Sequence, residues 1–152
     1  MIINTTIHLD RSIKHKIDSV SQKFTVSRSA IVVMLLKRLI RYDHLLTPQC
    51  RSVKYQGVLP KSHWQRLHVC IDYRDYEMCI DMRKFSKMSV SYLIAYSASL
   101  YLDRITEDME NGEITDNCQP LCYNLSKRTV EGAIIWKICW GMPVNLDLIF
   151  TT

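Results

Sequence analysis

Asn4, Thr6 and His8 occupy alternate positions of one short segment, and Arg66, His68 and Cys70 do the same in a second. Ile3, Thr5, Ile7 and Leu9 fill the remaining positions of the first, and Leu67, Val69 and Ile71 those of the second. A row of amide, hydroxyl, imidazole, guanidinium and thiol groups can offer hydrogen bonds to an outside partner or ligands to a metal. His8, His68 and Cys70 would form a metal set only if the two segments paired, and no anchoring fourth ligand is evident. Cys118 and Cys122 form C-x3-C without a second ligand pair. The six cysteines (Cys50, Cys70, Cys79, Cys118, Cys122, Cys139) read mostly as reduced and buried thiols. His15, His44 and His63 read as surface residues. The four scattered glycines build no phosphate loop, and neither H-E-x-x-H nor a nucleophile elbow occurs. The chain therefore reads as a non-enzyme without cofactor or metal.

Alternation at period two predicts strands with one buried and one polar face. Asp10 follows the first strand as a helix N-cap, and Ile13, Ile17, Val20 and Phe24 then mark the apolar stripe of a short helix. Thr25-Val26 breaks that helix. Ser27 caps the next, which runs to about Tyr42 with Ile31, Leu35 and Leu39 on one face. The same order recurs 62 residues later: Asp72 stands for Asp10, Ser89 and Ser91 for Ser27 and Ser29, and Leu93 for Ile31. Tyr76, Cys79, Ile80, Met82 and Phe85 mark the helix between. The last helix of this copy, Val90 to Leu102, is apolar almost all round, which predicts burial. A short strand needs a partner, and the second copy can supply it, giving a two-stranded ribbon carried on helices. Such a ribbon has the dimensions to enter the major groove of DNA.

The 152 residues carry a net charge of +5, unevenly spread. Met1 to Arg66 holds 12 Lys/Arg against 3 Asp/Glu, or +9; Leu67 to Thr152 holds 8 against 12, or −4. A basic half suits a polyanionic partner. No secretory signal is visible, and the apolar runs fall short of the roughly 20 residues that span a membrane. A cytoplasmic protein without membrane contact is expected. The organisation reads as a first copy over 1–43, a linker over 44–63 with Pro48, Gly57 and Pro60, a second copy over 64–105, and an extension over 106–152. The extension starts acidic around Asn111-Gly112 and turns β-rich, with a hairpin expected near Lys127 to Gly132.

Thr6-Ile7-His8-Leu9 through Ser27-Arg28-Ser29-Ala30-Ile31 resembles the ribbon-helix-helix superfamily of Arc, CopG-type and methionine repressors. The most specific part is the alternating strand followed some 20 residues later by the Ser-Arg-Ser-Ala helix start. The second copy resembles the family less closely; together the copies cover about residues 3–43 and 65–105. The resemblance implies a mainly α fold with short β structure: a tandem ribbon-helix-helix pseudo-dimer, with one antiparallel ribbon over four helices and a small β-rich extension. It also implies base readers at Asn4, Thr6 and His8 and at Arg66, His68 and Cys70. Asn suits adenine and Arg suits guanine in bidentate geometry, Thr offers a hydroxyl or a methyl, and Cys70 departs from the polar pattern. Phosphate would be held by backbone amides at Ser27, Arg28 and Ser29, and at Ser89, Val90 and Ser91. Arg28 adds a charge to its site; Val90 adds none.

The expected function is that of a sequence-specific regulator of transcription that binds double-stranded DNA, as a monomeric pseudo-dimer or a homodimer in which like copies pair between chains. The alternative is an antitoxin-like or scaffold protein whose second copy and extension bind a protein partner.

Overall fold

A computed structural model describes residues 1–42, 52–58, 60–112 and 123–140. The chain divides into two compact units, Met1–Ile114 and Thr115–Thr152. Unit 1 is mainly helical around a short two-stranded sheet. Its elements are β1 (Ile2–Asp10), α1 (Arg11–Phe24), α2 (Arg28–Tyr42), a single 3-10 turn (Lys61–His63), β2 (Trp64–Asp72), α3 (Tyr73–Ser86) and α4 (Val90–Glu110).

The two halves of unit 1 start their elements at matching positions. The starts of β1 and β2, α1 and α3, and α2 and α4 are each 62 positions apart. The caps follow the same offset. Asp10 accepts from the Ser12 amide at 2.8 Å and Asp72 from the Arg74 amide at 3.0 Å. Ser27 Oγ accepts from the Ala30 amide at 3.1 Å and Ser89 Oγ from the Tyr92 amide at 3.2 Å. α1 and α3 both end on a residue in the left-handed region, Thr25 and Lys87, each with φ 55. The left-handed cap turns the chain sharply and lets Thr25 and Lys87 donate their amides to the Ser21 and Arg83 carbonyls.

β1 and β2 pair antiparallel over their full length, within the one chain. Thr6 stands opposite His68, its own counterpart in the repeat, so an approximate two-fold axis passes between them. Asn4 faces Cys70 and His8 faces Arg66. The inner face of the ribbon buries Ile7, Leu9, Leu67, Val69 and Ile71 against the helices. Each such side chain contributes about 1.5–3 kcal/mol by its removal from water. α2 supplies Ile31, Val32, Leu35, Leu36, Leu39 and Ile40 to this core, a stripe wider than the face marked by Ile31, Leu35 and Leu39 alone.

α4 differs from its expected form at both its surface and its end. Leu93, Ile94, Ala98, Leu102 and Ile105 are buried, but Ser99 and Leu100 face solvent, with Leu100 48% exposed. The helix runs on to Glu110, past the expected helix end at Leu102 and the expected end of the second copy at 105, because its acidic last turns find cations from α1 and α2. Asp108 pairs with Arg38 and Glu110 with Lys23. The chain leaves the helix at Asn111, and Gly112 follows with φ 69.

In unit 2, β3 (Tyr123–Val130) and β4 (Ala133–Trp140) form an antiparallel hairpin. Glu131 and Gly132 both have positive φ, as a two-residue hairpin turn matching the strand twist requires.

Two predictions follow from the caps. Threonine is β-branched and poorly suited to positive φ, so Thr25→Gly should raise the urea midpoint of unfolding, a gain of about 0.5–1 kcal/mol. An unchanged or lower midpoint would contradict the cap geometry. The Ser12 hydroxyl and amide hold Asp10 below the 3.8 of a free aspartate, and the Arg74 amide does the same for Asp72. A lowered folded value means that this stabilisation is complete above the unfolded value and lost as pH falls through the folded one. The wild-type midpoint should therefore drop between pH 5 and pH 3 (a window of roughly carboxylate titration) more than that of the Asp10→Asn, Asp72→Asn double variant, which caps without titrating there.

Candidate nucleic-acid interface

Period two in a strand puts alternate side chains on opposite faces, so burial of the inner set fixes the position of the outer one. Asn4, Thr6, His8, Arg66, His68 and Cys70 are all exposed, and all lie on the outer face of the ribbon. The structure thus brings together the six residues that the alternation singles out. At the centre, Thr6 Oγ1 and His68 Nδ1 are hydrogen-bonded at 2.8 Å. That bond leaves the second ring nitrogen of His68 for another partner. His8 and Arg66 stand side by side towards one end of the ribbon, and Asn4 and Cys70 towards the other.

Among the described residues, no group of three or more His, Cys, Asp or Glu could hold a metal ion. His8, His68 and Cys70 therefore share a face without forming a ligand cluster; Cys118 and Cys122 lie outside the described residues.

The two helix starts that could receive an anion are not alike. Ser27 and Arg28 are exposed, and no acidic side chain lies in the first turn of α2. Arg28 Nε lies 2.6 Å from Asp18 Oδ1, which holds the guanidinium beside the helix start while 48% of the side chain stays exposed. Ser29 Oγ accepts the Cys70 amide at 2.9 Å, tying the start of α2 to the edge of β2. Asp18 and the Ser29 contact were not visible in the sequence, since each joins elements that no periodicity connects.

At the second copy, Ser89, Val90 and Ser91 are only partly exposed. The Ser89 amide donates to the Lys54 carbonyl at 2.8 Å, and the Lys54 amide donates to the Lys87 carbonyl at 2.7 Å. An amide expected to be open for phosphate is therefore already bonded within the chain. Nearby, Gln56 Nε2 donates to the His8 carbonyl at 2.8 Å.

Cys70 and Cys79 separate cleanly. Cys70 is exposed on the ribbon. Cys79 is buried in α3, and burial, aided by Asp75, pushes its thiol up to about 12. Iodoacetamide at pH 8, followed by peptide mass spectrometry, should modify Cys70 in the native protein and Cys79 only after urea is added, since the thiolate is the nucleophile. Equal rates at the two cysteines would contradict this arrangement.

Among the described residues no helix is long and apolar enough to cross a membrane. No protein-family model, curated protein or solved structure matches the chain.

Proposed function

We propose that the chain is a tandem ribbon-helix-helix protein that binds double-stranded DNA by laying the β1–β2 ribbon in the major groove. The observation that carries this reading is the outer face itself. Six exposed side chains, mostly able to bond base edges, lie on an intrachain two-stranded ribbon whose other face is buried. A two-stranded ribbon fits a major groove about 12 Å wide. Asn4 and Arg66 are the strongest readers, for adenine and guanine respectively; Thr6 and His68 read at the centre; His8 reads beside Arg66, and Cys70 contributes least. The charge of +9 over Met1 to Arg66 supports attraction to a polyanion. The start of α2 at Ser27, Arg28 and Ser29 holds a backbone phosphate through amides and the helix dipole.

Because the paired strands differ in sequence, the bound site is non-palindromic, and a single chain suffices to bind it. A cytoplasmic regulator of transcription goes with this reading, and no catalytic step is assigned. The alternative, an antitoxin-like or scaffold protein, draws its support from unit 2, where Val130, Ile134 and Ile135 are 47%, 57% and 50% exposed and suit a protein partner.

Selection of bound duplexes from a random pool supplies the site, and anisotropy titrations test the roles. Arg66→Ala should relax preference at one base pair, a loss of about 1–3 kcal/mol against the preferred base. Arg28→Ala should weaken binding to every sequence and lower the slope of log affinity against log salt by up to about one. No enrichment from the pool, or two variants indistinguishable from wild type, would sink the proposal.

A further inference from the structure

We infer that the linker closes the phosphate site of the second copy, so that the chain anchors DNA backbone at the start of α2 only and lies on its site in one orientation. This rests on the DNA reading above and specifies how that surface meets its partner. The inference comes from comparing positions 62 residues apart. At Ser27 the amide has no acceptor among the described residues, whereas at Ser89 it is bonded to the Lys54 carbonyl at 2.8 Å. That carbonyl oxygen carries partial negative charge and sits at the positive end of α4, where a phosphate oxygen would otherwise bind.

The contact is one of a set. Lys54 forms a parallel bridge with Met88, its amide bonds the Lys87 carbonyl at 2.7 Å, and Gln56 bonds the His8 carbonyl at 2.8 Å. Tyr55, between them, lines the cleft shared by Thr5, Ile7, Tyr76 and Ser91. Three successive positions of linker, Lys54, Tyr55 and Gln56, are thus laid from the α3–α4 corner to the edge of β1. In the first copy the matching ground is occupied differently: Ser29 Oγ takes the Cys70 amide, while its counterpart Ser91 makes no such bond to His8. A phosphate approaching Ser89 would have to displace a formed hydrogen bond, whereas one approaching Ser27 meets an exposed helix start.

The test uses the full chain and the duplex recovered from the random pool. In the free protein, hydrogen exchange followed by NMR should show the Ser89 amide protected and the Ser27 amide fast. On the duplex, phosphate-ethylation interference should mark one half of the site. Replacing residues 52–58 by a Gly/Ser segment of equal length should speed exchange at Ser89, add interference on the other half and steepen the salt slope by about one. Lys54→Pro, which removes the amide bonded to Lys87, should shift these readouts the same way.

Equal exchange at Ser27 and Ser89, or interference on both halves with wild type, would overturn the inference, and neither needs a variant to fold. A protein that retains no duplex overturns the DNA reading and this inference with it. Binding with symmetric interference overturns this inference alone.

Discussion

The pairing of β1 with β2 is the constraint on which the rest depends. A two-stranded ribbon by itself is marginal in water, so its register must be held by what it buries. Ile7 and Leu9 from one strand and Leu67, Val69 and Ile71 from the other hold it here. Side chains alternate strictly, so a slip of one residue would send these apolar groups outward and draw Thr6, His8 and Arg66 into the core. The same packing energy that closes the core therefore fixes which six side chains face outward. Stability and the candidate binding surface are two sides of one register.

The helices make that register a property of a single chain. α2 and α4 pack against each other, and Leu35 and Leu39 of the one and Leu93 and Ile94 of the other are all fully buried. Ion pairs also join the two halves: Lys37 of α2 with Asp75 of α3 at 3.1 Å, Arg38 of α2 with Asp108 of α4, and Lys23 of α1 with Glu110 of α4, each a cation of the first half and an acid of the second. Partly exposed pairs of this kind contribute little energy individually, often under about 1 kcal/mol. Their sign pattern nevertheless favours contact between unlike copies over contact between like ones. The uneven charge of the two halves thus serves the internal interface as well as any external polyanion.

Much of this was written in local patterns. The alternation from Ile3 to Leu9 and from Leu67 to Ile71, the Asp10 and Asp72 caps and the Ser27 and Ser89 caps each depend on neighbours within a few residues, so they can be read from the chain. The αL ends at Thr25 and Lys87 could not be, because neither is a glycine, the residue that usually marks such an end. The extra turns of α4 were hidden because Asp108 and Glu110 read as a solvated acidic run until Arg38 and Lys23 are known to face them. The linker was least legible of all. Lys54 and Gln56 act through main-chain groups and a side-chain amide, and no spacing ties them to Ser89 or His8.

That linker shows what carrying both strands of the ribbon on one chain entails. Two separate identical chains would present the same groups on both sides of the axis through Thr6 and His68. A chain that carries both halves must return from the end of α2 to the start of β2, and the described part of this return, residues 52–58, bonds to one half. Here Lys54 bonds Lys87 and Ser89 through its main chain and the Gln56 side-chain amide bonds the His8 carbonyl, while Ser27 and Arg28 stay exposed on the other side. The asymmetry consequently has two independent sources. One is the unlike outer side chains, which substitution can alter residue by residue. The other is the path of the backbone, which would persist even if the two strands were made identical in sequence, because it is fixed by connection and not by the residues that face the partner.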